Sequence, residues 1–394
     1  MIPGPTNVDF SVLSIMSQPT ISHFDPEFIK IFGQTLKNVR KIFFTEDGHP
    51  FIVSGSGTLA MEMGTINFLE KNDGLLVVKT GSFGDRFATI LKKYHLDVDE
   101  LACSLGEGAS PNLIREKMDE KQYKMVVVTH VDTGTGVVND IKKIGDVLKD
   151  YDGLFVVDGV CSIGAEEFFQ DNWNVDVCVA ASQKALAAPP GLAIGVISEH
   201  AKEVMNKRRN PLPIFYGDLT YWLPVMDAYE KQEAAYFGTP PVNLILALYE
   251  STRQVLNEDV RNRIRRHHIL SRAFKEGARS LNLKQIPKAK KWESNALTTL
   301  FYPEGVKGNE FLNYMRQNGV VVASGIYKPI KDKYFRVGHL GNVNQSHILL
   351  TLCAIERSLA SCGCEIEFGR SISAAQSVLE KYHYYHKKNH LENL

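Results

Sequence analysis

Between residues 51 and 198 the chain alternates short apolar runs of strand length with longer stretches compatible with helices. The apolar runs cover residues 51–53, 74–79, 96–101, 125–128, 154–157, 175–180 and 192–197. Short strands of this kind alternating with helices are how a mostly parallel sheet covered by helices is built. The pattern therefore predicts an α/β fold: a seven-stranded, mostly parallel sheet with flanking helices. Only residues 182–191 separate the last two runs. A parallel return needs a crossover of about a dozen residues or more, so the seventh strand is predicted to run antiparallel.

After residue 198 the strand rhythm stops. Pro-rich segments at 210–215 and 239–241 lead into helical sequence from Val242 to about Leu283. Further strand candidates at 297–302, 319–324 and 334–338, mixed with helices, predict a smaller C-terminal α+β domain. The expected division is an N-terminal arm at 1–20, a large domain at 21–255, a small domain at 256–370 and a helical tail at 371–394. Residues 261–268 (RNRIRRHH) read as the wet side of an amphipathic helix whose apolar side is Val260, Ile264 and Leu270.

Charge and composition narrow the classes. Lys+Arg and Asp+Glu both number 45 in 394 residues, which argues against a polyanionic partner such as nucleic acid. No run approaches the roughly 18 apolar residues of a membrane span, and the start, MIPGPTNVDF, lacks a secretion leader, so a cytoplasmic protein is expected. Six cysteines are too sparse for a disulfide scaffold. No metal site is expected, since Cys362 and Cys364 have no second pair nearby and His383, His386 and His390 read as a solvated helix face.

The candidate chemistry lies at strand ends. Gly55-Ser56-Gly57-Thr58-Leu59-Ala60 follows a strand and opens a helix, so its N–H groups can cradle a phosphate. It also fits G-x-G-x-x-A, but a dinucleotide site wants an acid at the end of the next strand, where Lys79-Thr80 stands. Asp158 ends one apolar strand and Lys184 follows the next, so adjacent strands would deliver an acid and an amine to one sheet edge. A desolvated lysine there can attack a carbonyl and form a Schiff base. Pyridoxal phosphate needs all three features: an amine for its aldehyde, a carboxylate for its ring nitrogen and donors for its phosphate.

In these motifs the sequence resembles the class V group of fold type I pyridoxal-phosphate enzymes, most closely the alanine-glyoxylate and serine-pyruvate aminotransferases. The segments that carry the resemblance are PGPTN at 3–7, SGSGT at 54–58, TGSFGDR at 80–86, THVDTGTGV at 129–137, VVDGVCSIG at 156–164, ASQKALAAPPG at 181–191, YFGTPP at 236–241 and FRVGHLG at 335–341. The resemblance implies Lys184 as Schiff-base lysine and proton shuttle, with Asp158 on the ring nitrogen. Ser56, Gly57, Thr58 and Ser182 would hold the phosphate, and Gln183 joins the cofactor-binding set. Phe83 stands where the family puts an aromatic ring, commonly Trp, over the pyridine, and Thr133 would approach the ring hydroxyl. Tyr236 and Thr239 match a motif that reaches the other subunit's phosphate, which implies a homodimer with shared sites. Arg336 would clamp the substrate carboxylate, a task suited to a planar bidentate donor.

The implied reaction is a ping-pong transamination between alanine or serine and glyoxylate or pyruvate. The alternative on the same scaffold is a cysteine desulfurase-like lyase, whose family usually has His before the lysine where this chain has Gln183. Its reactive thiol would have to be Cys353, Cys362 or Cys364, and Cys353 sits in an apolar helical pattern that suits packing. A regulator that has lost its chemistry and a nicotinamide oxidoreductase are weaker readings.

Overall fold

The computed structural model describes the backbone of residues 1–391 and the side chains of residues 1–381; the tail histidines His383, His386 and His390 lie outside the described side chains. Seven strands form the large sheet: β1 (His49–Ser54), β2 (Gly74–Lys79), β3 (Asp97–Ala102), β4 (Met125–Thr129), β5 (Leu154–Asp158), β6 (Val177–Ala181) and β7 (Leu192–Ile197). Their order is β1-β7-β6-β5-β4-β2-β3. β7 pairs antiparallel with both β1 and β6, while the other pairings are parallel. The short connection at 182–191 thus has the effect the spacing predicted.

The central strands are apolar because helices cover both faces. Val126, Val127, Val128, Val156 and Val157 are fully buried, and each such side chain removed from water stabilises the fold by about 1.5–3 kcal/mol. Edge strand β3 instead buries none of its residues and carries three acids, Asp97, Asp99 and Glu100, as suits a strand with one unpaired side.

A second sheet, ordered β8-β10-β9, is built from β8 (Leu297–Phe301), β9 (Ala323–Ser324) and β10 (Tyr334–Gly338). The apolar run at 319–324 pairs only at its last two residues, since β9 meets β10 only at Ala323 and Ser324. Buried apolar residues gather in one cluster around the large sheet and another around the small one. A small third cluster, including Cys161, Ala185 and Leu340, lies between.

The helical stretch from Val242 is broken. Helices Val242–Glu258 and Val260–Ser280 meet at Asp259, whose φ is +67° and whose carboxylate accepts from the N–H groups of Arg261 and Asn262. An Asp tolerates this left-handed geometry and caps the new helix. The basic run at 261–268 is also not uniformly wet. Arg263 is buried and donates to Glu258 and to the Ala185 carbonyl, and His267 is buried and accepts from the Gly341 N–H. Local periodicity does not reveal partners such as Ala185 and Gly341, which come from distant parts of the chain. The terminal helix Arg370–Leu391 packs on Val260–Ser280 and buries Ala375 and Leu379.

All six cysteines are unpaired, and among the described residues no group of His, Cys, Asp and Glu is arranged to hold a metal. Among those residues no helix is long and apolar enough to cross a membrane.

Candidate active site

The site forms where parallel strands β4, β5 and β6 end. Asp158 is the last residue of β5 and pairs in register with Val179 of β6. β6 ends at Ala181, and the turn into β7 carries Ser182, Gln183 and Lys184. Asp158 is buried and Lys184 half-buried, and each one's charge acts on the other. They share one environment.

Burial lowers the Lys184 amine below its usual range, with the nearby Arg336 and Arg86 charges acting in the same direction. Its Nζ donates to the Pro3 carbonyl at 2.5 Å. The N-terminal strap is tied beside it: Thr6 donates through its N–H to the Gln183 carbonyl and through Oγ1 to the Lys184 carbonyl. Gly4 has φ of +117°, and a methyl group there would sit 2.7 Å from the Lys184 side chain. Both backbone geometry and space therefore require glycine.

Asp158 is raised to about 7, mainly by burial and further by the Asp132 charge. The Val160 N–H donates to its Oδ1 at 2.9 Å, and no cation among the described residues forms a salt bridge with it. A buried carboxylate so placed favours a cationic partner. Arg336, on β10, reaches across from the small sheet: Nε donates to the Ser324 carbonyl at 2.7 Å and Nη1 to the Thr133 carbonyl at 3.2 Å. Burial lowers its pKa too. Nη2 makes no protein hydrogen bond among those described, which leaves it free to donate, and the guanidinium charge acts on the lysine. Thr133 is buried, its hydroxyl beside Cys161.

On the other side of the cleft, helix Gly57–Ile66 begins at Ser56, whose side chain makes no capping bond. The first N–H groups of a helix lack intrahelical partners and carry its positive dipole end. Ser56 and Thr58 are exposed and Gly57 is buried, so the turn can receive an anion. Helix Ser82–Lys93 starts nearby and is capped from a distance: the buried Asp132 carboxylate accepts from the N–H groups of Ser82 at 3.1 Å and Phe83 at 2.8 Å. A Cβ on Gly81 would lie 2.5 Å from that carboxylate. The cap positions Phe83. Arg86 then lies with its guanidinium 4.6 Å from the Phe83 ring centroid and donates to Thr58 Oγ1 at 3.1 Å.

The family model of class V aminotransferases matches residues 13–327. The chain belongs to the class V aminotransferases. It is 37% identical over 382 residues to an uncharacterized aminotransferase of Methanocaldococcus jannaschii, covering 97% of each chain. It is also 37% identical over 356 residues to alanine–glyoxylate aminotransferase 1 of Saccharomyces cerevisiae, covering 86% of this chain and 91% of that one. The crystal structure of ureidoglycine–glyoxylate aminotransferase from Bacillus subtilis superposes with a TM-score of 0.90 at 28% identity, covering 96% of this chain and 97% of that one.

This class V aminotransferase depends on pyridoxal phosphate, and the residues present fit that cofactor. Asp158 is a buried acid without a paired cation, Lys184 is a desolvated amine, and the Ser56 turn has free donors. Bound here, the cofactor supplies an electron sink for negative charge developing at the substrate α-carbon.

The fold brings Lys184, Asp158, Thr133 and Arg336 together, with Phe83 and the Ser56–Thr58 turn beside them. Ser182 adjoins them but is already engaged: its Oγ donates to the Pro189 carbonyl at 2.7 Å and accepts from the Leu192 N–H. Gln183 keeps a buried Oε1 without a partner among the described residues. Tyr236 and Thr239 stand apart and exposed, their hydroxyls 3.5 Å from each other. Asp132, Arg86 and the Pro3–Gly4 strap lie within the motifs THVDTGTGV, TGSFGDR and PGPTN, yet no local pattern marks their roles, and only folding shows where they lie.

Proposed function

We propose that the protein transfers the amino group of a small amino acid, alanine or serine, to glyoxylate or pyruvate in a ping-pong cycle. The observation that carries this reading is the buried guanidinium of Arg336, whose charge acts on the Lys184 amine, while the other buried arginine, Arg263, is held by Glu258 and the Ala185 carbonyl. One such group suits one α-carboxylate, and a donor with a second carboxylate would want a second buried cation. In this reading Arg336 binds and orients the substrate carboxylate. Lys184 takes the proton from the substrate α-carbon. Asp158 pairs with the ring nitrogen, and Thr133 approaches the ring hydroxyl. Ser56, Gly57 and Thr58 hold the phosphate, with Gln183 alongside; Ser182 joins them by turning its hydroxyl away from the Pro189 carbonyl, while Phe83 covers the ring.

The same reading makes the active unit a homodimer in which Tyr236 and Thr239 reach the other subunit's phosphate site. Support comes from aromatic groups turned to solvent in one chain: Phe10, Phe215 and Tyr236 are 82%, 69% and 58% exposed. Two of them adjoin further exposed rings, Tyr236 beside Phe24 and Phe215 beside Tyr221, and contiguous exposed apolar groups of this kind mark interaction surfaces.

The test is a donor screen on cofactor-loaded protein. Bleaching of the visible band by L-alanine or L-serine with release of the matching 2-oxo acid is expected, and sulfide release from cysteine would instead establish the lyase. Lys184→Ala should abolish both the half-reaction and borohydride fixation of the cofactor. Retention of either would remove Lys184 from its role.

A further inference from the structure

The phosphate site proposed above is built from neutral donors. A phosphate monoester carries about 1.5 to 2 negative charges at neutral pH, whereas a helix N-terminus offers about half a positive charge. The nearby cations are mostly committed. Lys184 serves the reacting centre, Arg336 is bonded to the Ser324 and Thr133 carbonyls, and Lys79 pairs with Asp85 and Glu100 at 2.7 and 2.6 Å. Arg86 remains, and it forms no salt bridge with a carboxylate among the described residues.

Three observations place Arg86 at the cradle. Its Nη1 bonds the hydroxyl of Thr58, the second residue of the helix that begins at Gly57. The guanidinium lies over the Phe83 ring, which limits its freedom. Its charge also reaches into the cleft, acting on both Asp158 and Lys184. The Asp132 cap holds the start of its helix in place, so the arginine arrives with part of its conformational entropy already removed. A planar fork with several donors can keep the Thr58 bond and still present N–H groups to an anion.

We propose that Arg86 is a ligand of the cofactor's phosphate, supplying the countercharge that the Ser56–Thr58 turn lacks. The inference deepens the phosphate-site reading above and rests on it. A carboxylate in a donor's side chain offers similar chemistry, and the test separates the two sources.

Cofactor-free wild type, Arg86→Gln and Arg86→Lys are each titrated with pyridoxal phosphate and with pyridoxal, and binding is read by absorption and protein fluorescence. Loss of one charge-assisted pair predicts pyridoxal phosphate binding about 10- to 100-fold weaker in Arg86→Gln. Pyridoxal affinity should change less than about 2-fold, and Arg86→Lys should recover part of the loss. Thermal melts of the free proteins should coincide, since Arg86 is exposed. Equal losses for both aldehydes would overturn the proposal by making Arg86 a positioning residue for Phe83. Unchanged phosphate affinity with a loss confined to dicarboxylic donors would overturn it in favour of a substrate contact. If wild type itself fails to prefer pyridoxal phosphate over pyridoxal, the underlying phosphate-site reading falls as well.

Discussion

Asp158→Asn removes a charge that the cofactor-free fold holds at a cost. The carboxyl is raised from an ordinary 3.8 to about 7, chiefly by burial. A group with a raised folded-state value binds its proton more tightly folded than unfolded. Its contribution therefore favours folding at acid pH and is lost as pH climbs from about 4 through about 7. Across that interval the loss reaches about 4 kcal/mol, at 1.36 kcal/mol for each pH unit. The Val160 N–H can still donate to the Asn carbonyl oxygen, so the substitution removes charge with little change in shape. With an unfolding entropy near 2.1 cal/mol/K per residue, a chain of 394 residues should melt about 5 °C higher as the Asn variant at pH 8. At pH 5 the gain should shrink to about 2 °C. With pyridoxal phosphate bound the order should reverse, because in the proposed arrangement the cationic ring nitrogen would pair with the carboxylate and not with the amide. Scanning calorimetry of both proteins, with and without cofactor, at the two pH values measures all four cases. A cofactor-free variant that melts no higher than wild type at pH 8, or a difference independent of pH, would refute the reasoning.

Two further perturbations probe other parts of the site. Arg336→Lys replaces a planar fork held by two carbonyls with a single ammonium, and should lower kcat/KM for the amino donor about 10- to 100-fold, mostly through KM; half-reaction kinetics over a range of donor concentration read this directly, and an unchanged KM would place the carboxylate elsewhere. Gly81→Ala brings a methyl group within 2.5 Å of the Asp132 carboxylate and should destabilise the protein by about 1–3 kcal/mol while weakening cofactor binding through displaced Phe83, measured by melting and cofactor titration.

Strand rhythm, a loop too short for a crossover and the acid and amine 26 residues apart were enough to place Asp158 and Lys184 at one sheet edge. These features are local or nearly so, because side-chain period and connection length act over a few residues. The Ser56 turn was readable for the same reason: a helix start announces its free N–H groups in adjacent sequence. The long-range partnerships were not. Asp132 capping a helix about 50 residues earlier, Pro3 accepting from Lys184, Arg263 holding the Ala185 carbonyl and Arg86 lying against Thr58 all join segments that no periodicity connects. An exposed arginine and a buried one look alike in a basic run such as 261–268. Burial and partner choice are properties of the packed chain, set by which desolvated groups must find one another, and only the three-dimensional arrangement decides them.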